Sequence, residues 1–243
     1  MSKAGTLYGL GVGPGDPELM TLKAARILGE APVLAHFRKR GQRGHARGIV
    51  QAHRRADAVE LALDYPLTTE IPSGDTGYET ALTAFYDAAA AALARHLQAG
   101  RDVALVCEGD PFFYGSFMHI HQRLARLHRV EVVPGITGMS ASWTRAGAPM
   151  TLGDDVLTVL PGTLSLPALI ERMLVADALV VMKLGRNFAK VRRALIETGL
   201  AGRAIYAERA TMAEERIIPL ADKHDDEAPY FSMILVPGRG RCL

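Results

Sequence analysis

Three glycine turns, each entered from strand-like text, constrain this chain more than any other feature. The runs Thr6–Val12, Asp102–Cys107 and Arg129–Val133 lead into Gly13-Pro14-Gly15-Asp16-Pro17, Glu108-Gly109-Asp110-Pro111 and Pro134-Gly135-Ile136-Thr137-Gly138. The second run, DVALVC, is nearly all apolar, as a parallel strand covered on both faces must be. Helical text follows each turn, at Thr21–Glu30, Ser116–Leu127 and Ile136–Ala146. Thr21 is placed to accept one of the orphan amides that open a helix. Strand, turn and helix in repeated alternation define an α/β class. In that class ligands settle at the carboxyl ends of strands, so these turns are candidate ligand loops.

The remaining elements follow the same alternation. Val33–Phe37 reads as a strand, residues 38–57 as loop or short helix, and Gly77–Gly100 as a long alanine-rich helix. No element is predicted from 58 to 76. Further on, strands are expected at Val156–Leu160, Ala178–Lys183 and Arg203–Ala207, with helices at Leu166–Val175 and Phe188–Gly199. Glu214–Leu220 and Tyr230–Val236 read as closing strands forming an antiparallel pair. A chain of 243 residues accommodates two α/β lobes, each of roughly 110–120 residues. The boundary is expected near Thr151–Val156, giving domains 1–150 and 151–243.

Composition excludes several classes. The apolar fraction of 49% supports a packed core, and a net charge of +2 is far from that of a nucleic-acid domain. Cys107 and Cys242 are the only cysteines, so neither a disulfide framework nor a thiolate metal site is expected. No apolar run reaches the length of a membrane span, and MSKAGTLYGLGVG lacks a secretory pattern. A cytoplasmic protein without metal, membrane or nucleic-acid partner is the expectation. The small net charge conceals an acid-free run from Ala31 to Ala56. It contains Arg38, Lys39, Arg40, Arg43, Arg47, Arg54 and Arg55, with His36, His45 and His53. Such a run is either a solvated loop or a basic wall for a polyanion. The histidine spacings match no metal motif, and His119 and His121, two apart on a helix, face different ways.

The first loop is poorly suited to phosphate. A Walker loop needs a GK[ST] ending, which is absent. A dinucleotide loop needs free amides at a helix start. Here Pro14 and Pro17 remove two donors and Asp16 repels phosphate. A turn that faces a non-phosphate ligand is the stronger reading, with a structural turn as the alternative. In the second loop a carboxylate can pair with a ligand ammonium, hold ribose or move a proton. The alternative is a tight turn capped by Asp110, with Phe112, Phe113 and Tyr114 in an interface. The small residues of the third loop permit close approach, either of a ligand or of a packed helix. No GxSxG, CxxC or HExxH constellation is present. That absence fits a reaction whose reactive group is carried by a cofactor.

Taken in order, these loops resemble the tetrapyrrole methylase family. The matching segments are GVGPGDPELMTLKAARIL at 11–28, CEGDPFFYGSF at 107–117 and VVPGITGMSASWTRAGAP at 133–149. VVMKLGRN at 180–187, ERATMAEERI at 208–217 and PYFSMILV at 229–236 continue the match through essentially the whole chain. The segment at 64–87, DYPLTTEIPSGDTGYETALTAFYD, with GDPFFYGSFMHIH, MKLGRN and APYFSM, is similar to the branch that methylates C20 of precorrin-2. The sequence as a whole looks more like the type that acts before cobalt is inserted. The resemblance implies a two-lobed class III S-adenosylmethionine-dependent methyltransferase fold, with a cofactor cleft between two α/β domains. It implies a homodimer, S-adenosylhomocysteine as by-product and a polycarboxylate tetrapyrrole as substrate. By position, the cofactor contacts would be Gly109, Asp110, Phe113, Thr137, Gly138, Met182, Ala210, Thr211, Tyr230, Phe231 and Ser232. Pro14, Asp16 and Tyr114 would face the tetrapyrrole, and the seven basic residues of the acid-free run would meet its carboxylates. Asp16 and Asp110 are the candidates for proton transfer. His36, Phe37 and Trp143 depart from the family's usual text.

Overall fold

The computed structural model describes residues 4–66 and 76–239. Its contacts divide the chain into two units, Met1–Thr137 and Gly138–Leu243. Residues 67–75, inside the 64–87 segment quoted above, and Cys242 lie outside the described residues.

The first unit is built on a five-stranded parallel sheet. Its strands are β1 (Thr6–Gly11), β2 (Val33–Lys39), β3 (Val59–Tyr65), β4 (Val103–Cys107) and β5 (Arg129–Val133), in the order β3-β2-β4-β1-β5. Every residue of β4 is buried, as its unbroken apolar text requires of a central strand. Helices α1 (Leu22–Glu30) and α2 (His45–Ile49) cover one face through Leu10, Leu28, Leu34, Ala46 and Val106. Helices α3 (Thr76–Gln98) and α4 (Phe117–Leu124) cover the other through Leu7, Leu93, Leu97, Leu105 and Phe117. The Thr21 hydroxyl accepts the Ala24 amide at 3.1 Å and so starts α1 where the sequence places it.

The second unit holds a mixed five-stranded sheet, ordered β6-β7-β10-β8-β9. It comprises β6 (Leu157–Pro161), β7 (Ala178–Met182), β8 (Ile205–Glu208), β9 (Arg216–Pro219) and β10 (Ser232–Val236). Helices α6 (Leu166–Leu174) and α7 (Phe188–Glu197) pack on one face around Leu169, Phe188, Val191 and Tyr206. On the other face lies α5 (Gly138–Arg145), whose Met139 and Trp143 meet Met150, Val180, Met233 and Leu235.

Three features differ from the sequence expectation. The division falls between Thr137 and Gly138, ahead of residue 150, because α5 contributes its apolar side to the second unit's core. Glu214–Leu220 and Tyr230–Val236 do contain strands, β9 and β10. They are not a pair, because β8 lies between them and pairs antiparallel with both. Residues 59–65 form β3, an edge strand paired with β2 from Val33↔Val59 to Lys39↔Tyr65. Its text alternates, with Leu61, Leu63 and Tyr65 toward α3 and Glu60 and Asp64 on the opposite side.

Gly9 marks a close helix-to-sheet contact in the first unit. A Cβ there would run into the ring of Phe117, which is fully buried. Gly9→Ala is therefore expected to cost roughly 1–3 kcal/mol by overpacking. The double variant Gly9→Ala/Phe117→Leu should be more stable than the sum of the single penalties, as urea unfolding would measure. Strict additivity would contradict this contact.

Candidate functional site

The three glycine turns converge at the carboxyl edge of β4, β1 and β5. The Val12 amide donates to the Cys107 carbonyl at 3.0 Å, and the Gly109 amide to the Gly13 carbonyl at 2.8 Å. At Gly135 the third turn approaches both of the others. A Cβ there would overlap the Gly109 carbonyl and the Gly11 backbone, and a Cβ at Gly11 would in turn strike Gly109 and Gly135. Only glycine permits this three-way backbone approach. Asp110 fastens it, since one carboxylate oxygen accepts the Phe112 amide at 2.8 Å and the other the Gly135 amide at 3.0 Å.

Around this junction the other candidate residues take definite places. Pro14 is buried, and Asp16 accepts the Glu18 amide at 2.9 Å, capping the short 3-10 turn Pro17–Leu19. The Glu108 carboxylate accepts the Ala46 amide at 2.8 Å, which ties α2 to the end of β4. Phe112 packs on Phe117 and His121, with ring centroids 5.8 and 5.0 Å away. Phe113 and Tyr114 meet edge to face at 5.0 Å. Tyr114 is 45% exposed and has φ +54°, a left-handed conformation that side chains disfavour. Thr137 ends the first unit, half-buried.

In the second unit the remaining candidates gather along one sheet edge. Met182 ends β7, Ala210 and Thr211 follow β8, and Tyr230 and Phe231 lead into Ser232 at the start of antiparallel β10. Gly138 opens α5 with Met233 as its neighbour. The Arg209 amide donates to the Phe231 carbonyl at 2.8 Å, and Ser232 Oγ to the Pro229 carbonyl at 2.6 Å. Glu215 accepts the Thr211 amide at 2.7 Å while also gripping Arg145 of α5. Lys183, Arg209 and Thr211 have φ of +56°, +50° and +68°. With Tyr114 they are the non-glycine residues of positive φ among the described residues, and all four adjoin candidate contacts. Strained backbone of this kind concentrates at ligand sites.

The acid-free run is neutralised from outside itself. On the face where α2 packs, β3 supplies Asp64 to Arg38 at 2.5 Å, and Glu60 to Arg47 at 2.6 Å and Arg54 at 3.6 Å. Arg55 pairs with Asp57 at 2.5 Å, and Arg43 donates to Gln51 at 3.0 Å. Lys39, Arg40 and Arg43 have exposed side chains. His36 is buried beneath this network, and burial pushes its imidazole below the ordinary value. Hydrogen bonds from Arg47 and Arg38 hold the Glu60 and Asp64 carboxyls below their ordinary range. Sequence reasoning missed β3 and with it Glu60, Asp64 and Tyr65, although the period-two alternation of VELALDY was the available signal.

The donor set fits S-adenosylmethionine better than a phosphate cofactor. Segments 107–115 and 133–138 carry no lysine or arginine. They offer backbone amides and carbonyls, aromatic edges and the carboxylates of Glu108 and Asp110, a set suited to a cationic sulfonium and an adenine. Among the described residues no three His, Cys, Asp or Glu side chains gather as a metal set. No helix among them is long and apolar enough to cross a membrane.

An α/β protein with ligand loops on the carboxyl edge of a parallel sheet, joined to a second unit with a mixed sheet, is the class so defined. The chain belongs to the tetrapyrrole (corrin/porphyrin) methylases, whose family pattern it matches over residues 6–223. It is 54% identical to the precorrin-2 C(20)-methyltransferase of a Sinorhizobium species over 234 residues, covering 96% of each chain. It is 31% identical to the cobalt-precorrin-2 C(20)-methyltransferase of Salmonella typhimurium over 235 residues, again 96% of each. Its fold matches that of Thermus thermophilus uroporphyrin-III C-methyltransferase complexed with S-adenosylhomocysteine. That superposition has a TM-score of 0.67 at 24% identity and covers 96% of this chain and 92% of the other.

The charge network makes acid stability testable. A carboxyl held low in the folded state adds stability that is complete above its unfolded value and lost as pH falls through the lower folded value. For Glu60 that loss begins near pH 4–5, around the ordinary glutamate range. Glu60→Gln should therefore flatten the fall of Tm between roughly pH 5 and 3 and leave its slope above pH 6 unchanged. An unaltered acid slope would contradict the pairing.

Proposed function

We propose that this chain transfers the methyl group of S-adenosylmethionine to C20 of precorrin-2, giving precorrin-3A and S-adenosylhomocysteine in cobalamin biosynthesis. The observation that carries the reading is the 54% identity to a precorrin-2 C(20)-methyltransferase across nearly the full length of both chains. The lower figure of 31% for a relative named for a cobalt-containing substrate favours the metal-free substrate. We further propose a cytoplasmic homodimer that works without a metal.

When bound, the sulfonium supplies an activated methyl electrophile and becomes a neutral thioether as the carbon–sulfur electron pair returns to sulfur. The chain's own residues bind, orient and exclude water. In the first unit Gly109, Asp110, Phe113 and Thr137 are the proposed cofactor contacts. In the second unit they are Gly138, Met182, Ala210, Thr211, Tyr230, Phe231 and Ser232. Much of the rate gain from such a site comes from holding carbon, methyl and sulfur in line, worth about 7–11 kcal/mol in well-oriented systems. Pro14, Asp16 and Tyr114 are proposed to face the tetrapyrrole. Its carboxylates would meet the exposed side chains of Lys39, Arg40 and Arg43 first, because Arg38, Arg47 and Arg54 are partly buried against Asp64 and Glu60. C20 must lose a proton after methylation. Both oxygens of Asp110 accept backbone amides, which supports a role in holding the cofactor loops in place. Asp16 or a substrate carboxylate is the proposed acceptor of that proton.

Anaerobic incubation with precorrin-2 and carbon-13 methyl-labelled S-adenosylmethionine tests this reading by NMR. The label is expected on C20 alone. Label on another ring carbon would reassign the regiochemistry, and no transfer to any reduced tetrapyrrole would reduce the chain to a binding protein.

A further inference from the structure

Ser116 stands at the N-cap of α4, where a serine hydroxyl ordinarily accepts a first-turn amide, yet it makes no such bond. The Met118 and His119 amides turn instead to the Gly115 and Ser116 carbonyls, each at 3.2 Å. The freed hydroxyl meets two phenols. The Tyr86 hydroxyl donates to Ser116 Oγ at 3.1 Å, and the Tyr65 hydroxyl makes a short hydrogen bond with the same atom. One hydroxyl offers a donor and two acceptor sites, so Ser116 can serve both phenols at once. Tyr65 ends β3 and Tyr86 lies in α3, so residues 51 and 30 positions away in sequence meet at Ser116. Their rings are fixed in turn. Tyr65 lies 4.9 Å from Phe85 and 5.6 Å from Phe37, and Tyr86 stacks on His119 at 4.3 Å.

We propose that Tyr65, Ser116 and Tyr86 form a clamp that positions the aromatic turn Phe112–Gly115 for the tetrapyrrole. The turn is held at its start by Asp110, through the Phe112 and Gly135 amides, and at its end by Ser116. Between these anchors lies Tyr114 in its left-handed conformation, a state that persists only where the surroundings over-determine it. The hydroxyl withdrawn from helix capping is spent on that constraint. These are positioning residues, acting through Ser116 on Phe113 and Tyr114 and not on the reacting atoms. The tetrapyrrole role rests on the function proposed above, whereas the clamp itself does not.

Two measurements on the full chain separate these claims. Amide hydrogen exchange over residues 112–116 is expected to speed up roughly tenfold in Ser116→Ala and in the double variant Tyr65→Phe/Tyr86→Phe. Ser116→Thr, which keeps the hydroxyl, should restore protection. In a Tyr114→Gly background, where no side chain opposes positive φ, Ser116→Ala should change exchange less than twofold. In steady-state assays Ser116→Ala should raise KM for precorrin-2 severalfold and leave the Kd for S-adenosylhomocysteine within twofold. Unchanged local exchange in Ser116→Ala, or a uniform rise across the chain with lowered Tm, would overturn the clamp. Increased local exchange with unchanged KM would overturn its role toward substrate. A wild-type chain that methylates no tetrapyrrole would instead refute the proposed function, while the exchange data would still decide the clamp.

Discussion

Everything at the site depends on the backbone approach of Gly11, Gly109 and Gly135. Three chain segments pass so closely at the carboxyl edge of the first sheet that a methyl group on Gly135 would overlap the other two. Asp110 turns that approach into a junction by accepting amides from two of the loops. A carboxylate hydrogen-bonded to backbone amides is among the stronger interactions available to a surface loop. The same junction explains why the loops are unsuited to phosphate. Several of their amides hold one another, and the carboxylates of Glu108 and Asp110 would repel an anion. What remains is a surface of carbonyls, acid and aromatic edges, which suits a cationic cofactor.

The basic segment illustrates how a local charge pattern misleads when the partner strand is unseen. From Ala31 to Ala56 the sequence has no acid, which invites the picture of an open cationic wall. The parallel pairing of β2 with β3 brings Glu60 and Asp64 onto the same face as Arg38, Arg47 and Arg54. The segment is therefore partly a folded, internally paired structure over a buried His36, and its exposed cations are fewer than the text implies. Exposed ion pairs are individually weak. A ligand carboxylate can therefore compete for them, though less strongly than for unpaired cations.

Much of the architecture was legible because the chain is locally consistent. The apolar text of β4, the Thr21 cap, the glycine turns and the small-residue start of α5 each carry their own physical signature. The convergence of the loops followed from the α/β rule that parallel strands deliver their carboxyl ends to one edge. What escaped depends on pairing at a distance. β3 is a half-exposed edge strand whose alternation is short, and its meaning as a source of acids emerges only beside β2. Likewise the place of α5 is set by Met139 and Trp143 packing on Met150 and Met233, which moves the unit division ahead of residue 150. The meeting of Tyr65, Tyr86 and Ser116 joins three elements and has no local signature at all.

The central claim is that the Gly109–Phe113 loop and the Gly135–Thr137 turn together receive the cofactor on the first unit. A crystal structure of the full chain with S-adenosylhomocysteine tests it most directly. The account predicts ligand atoms within hydrogen-bond or van der Waals distance of Gly109, Asp110 and Thr137, with the Asp110 bonds to Phe112 and Gly135 intact. A ligand that touched neither loop, or that broke the Asp110 junction on binding, would contradict it.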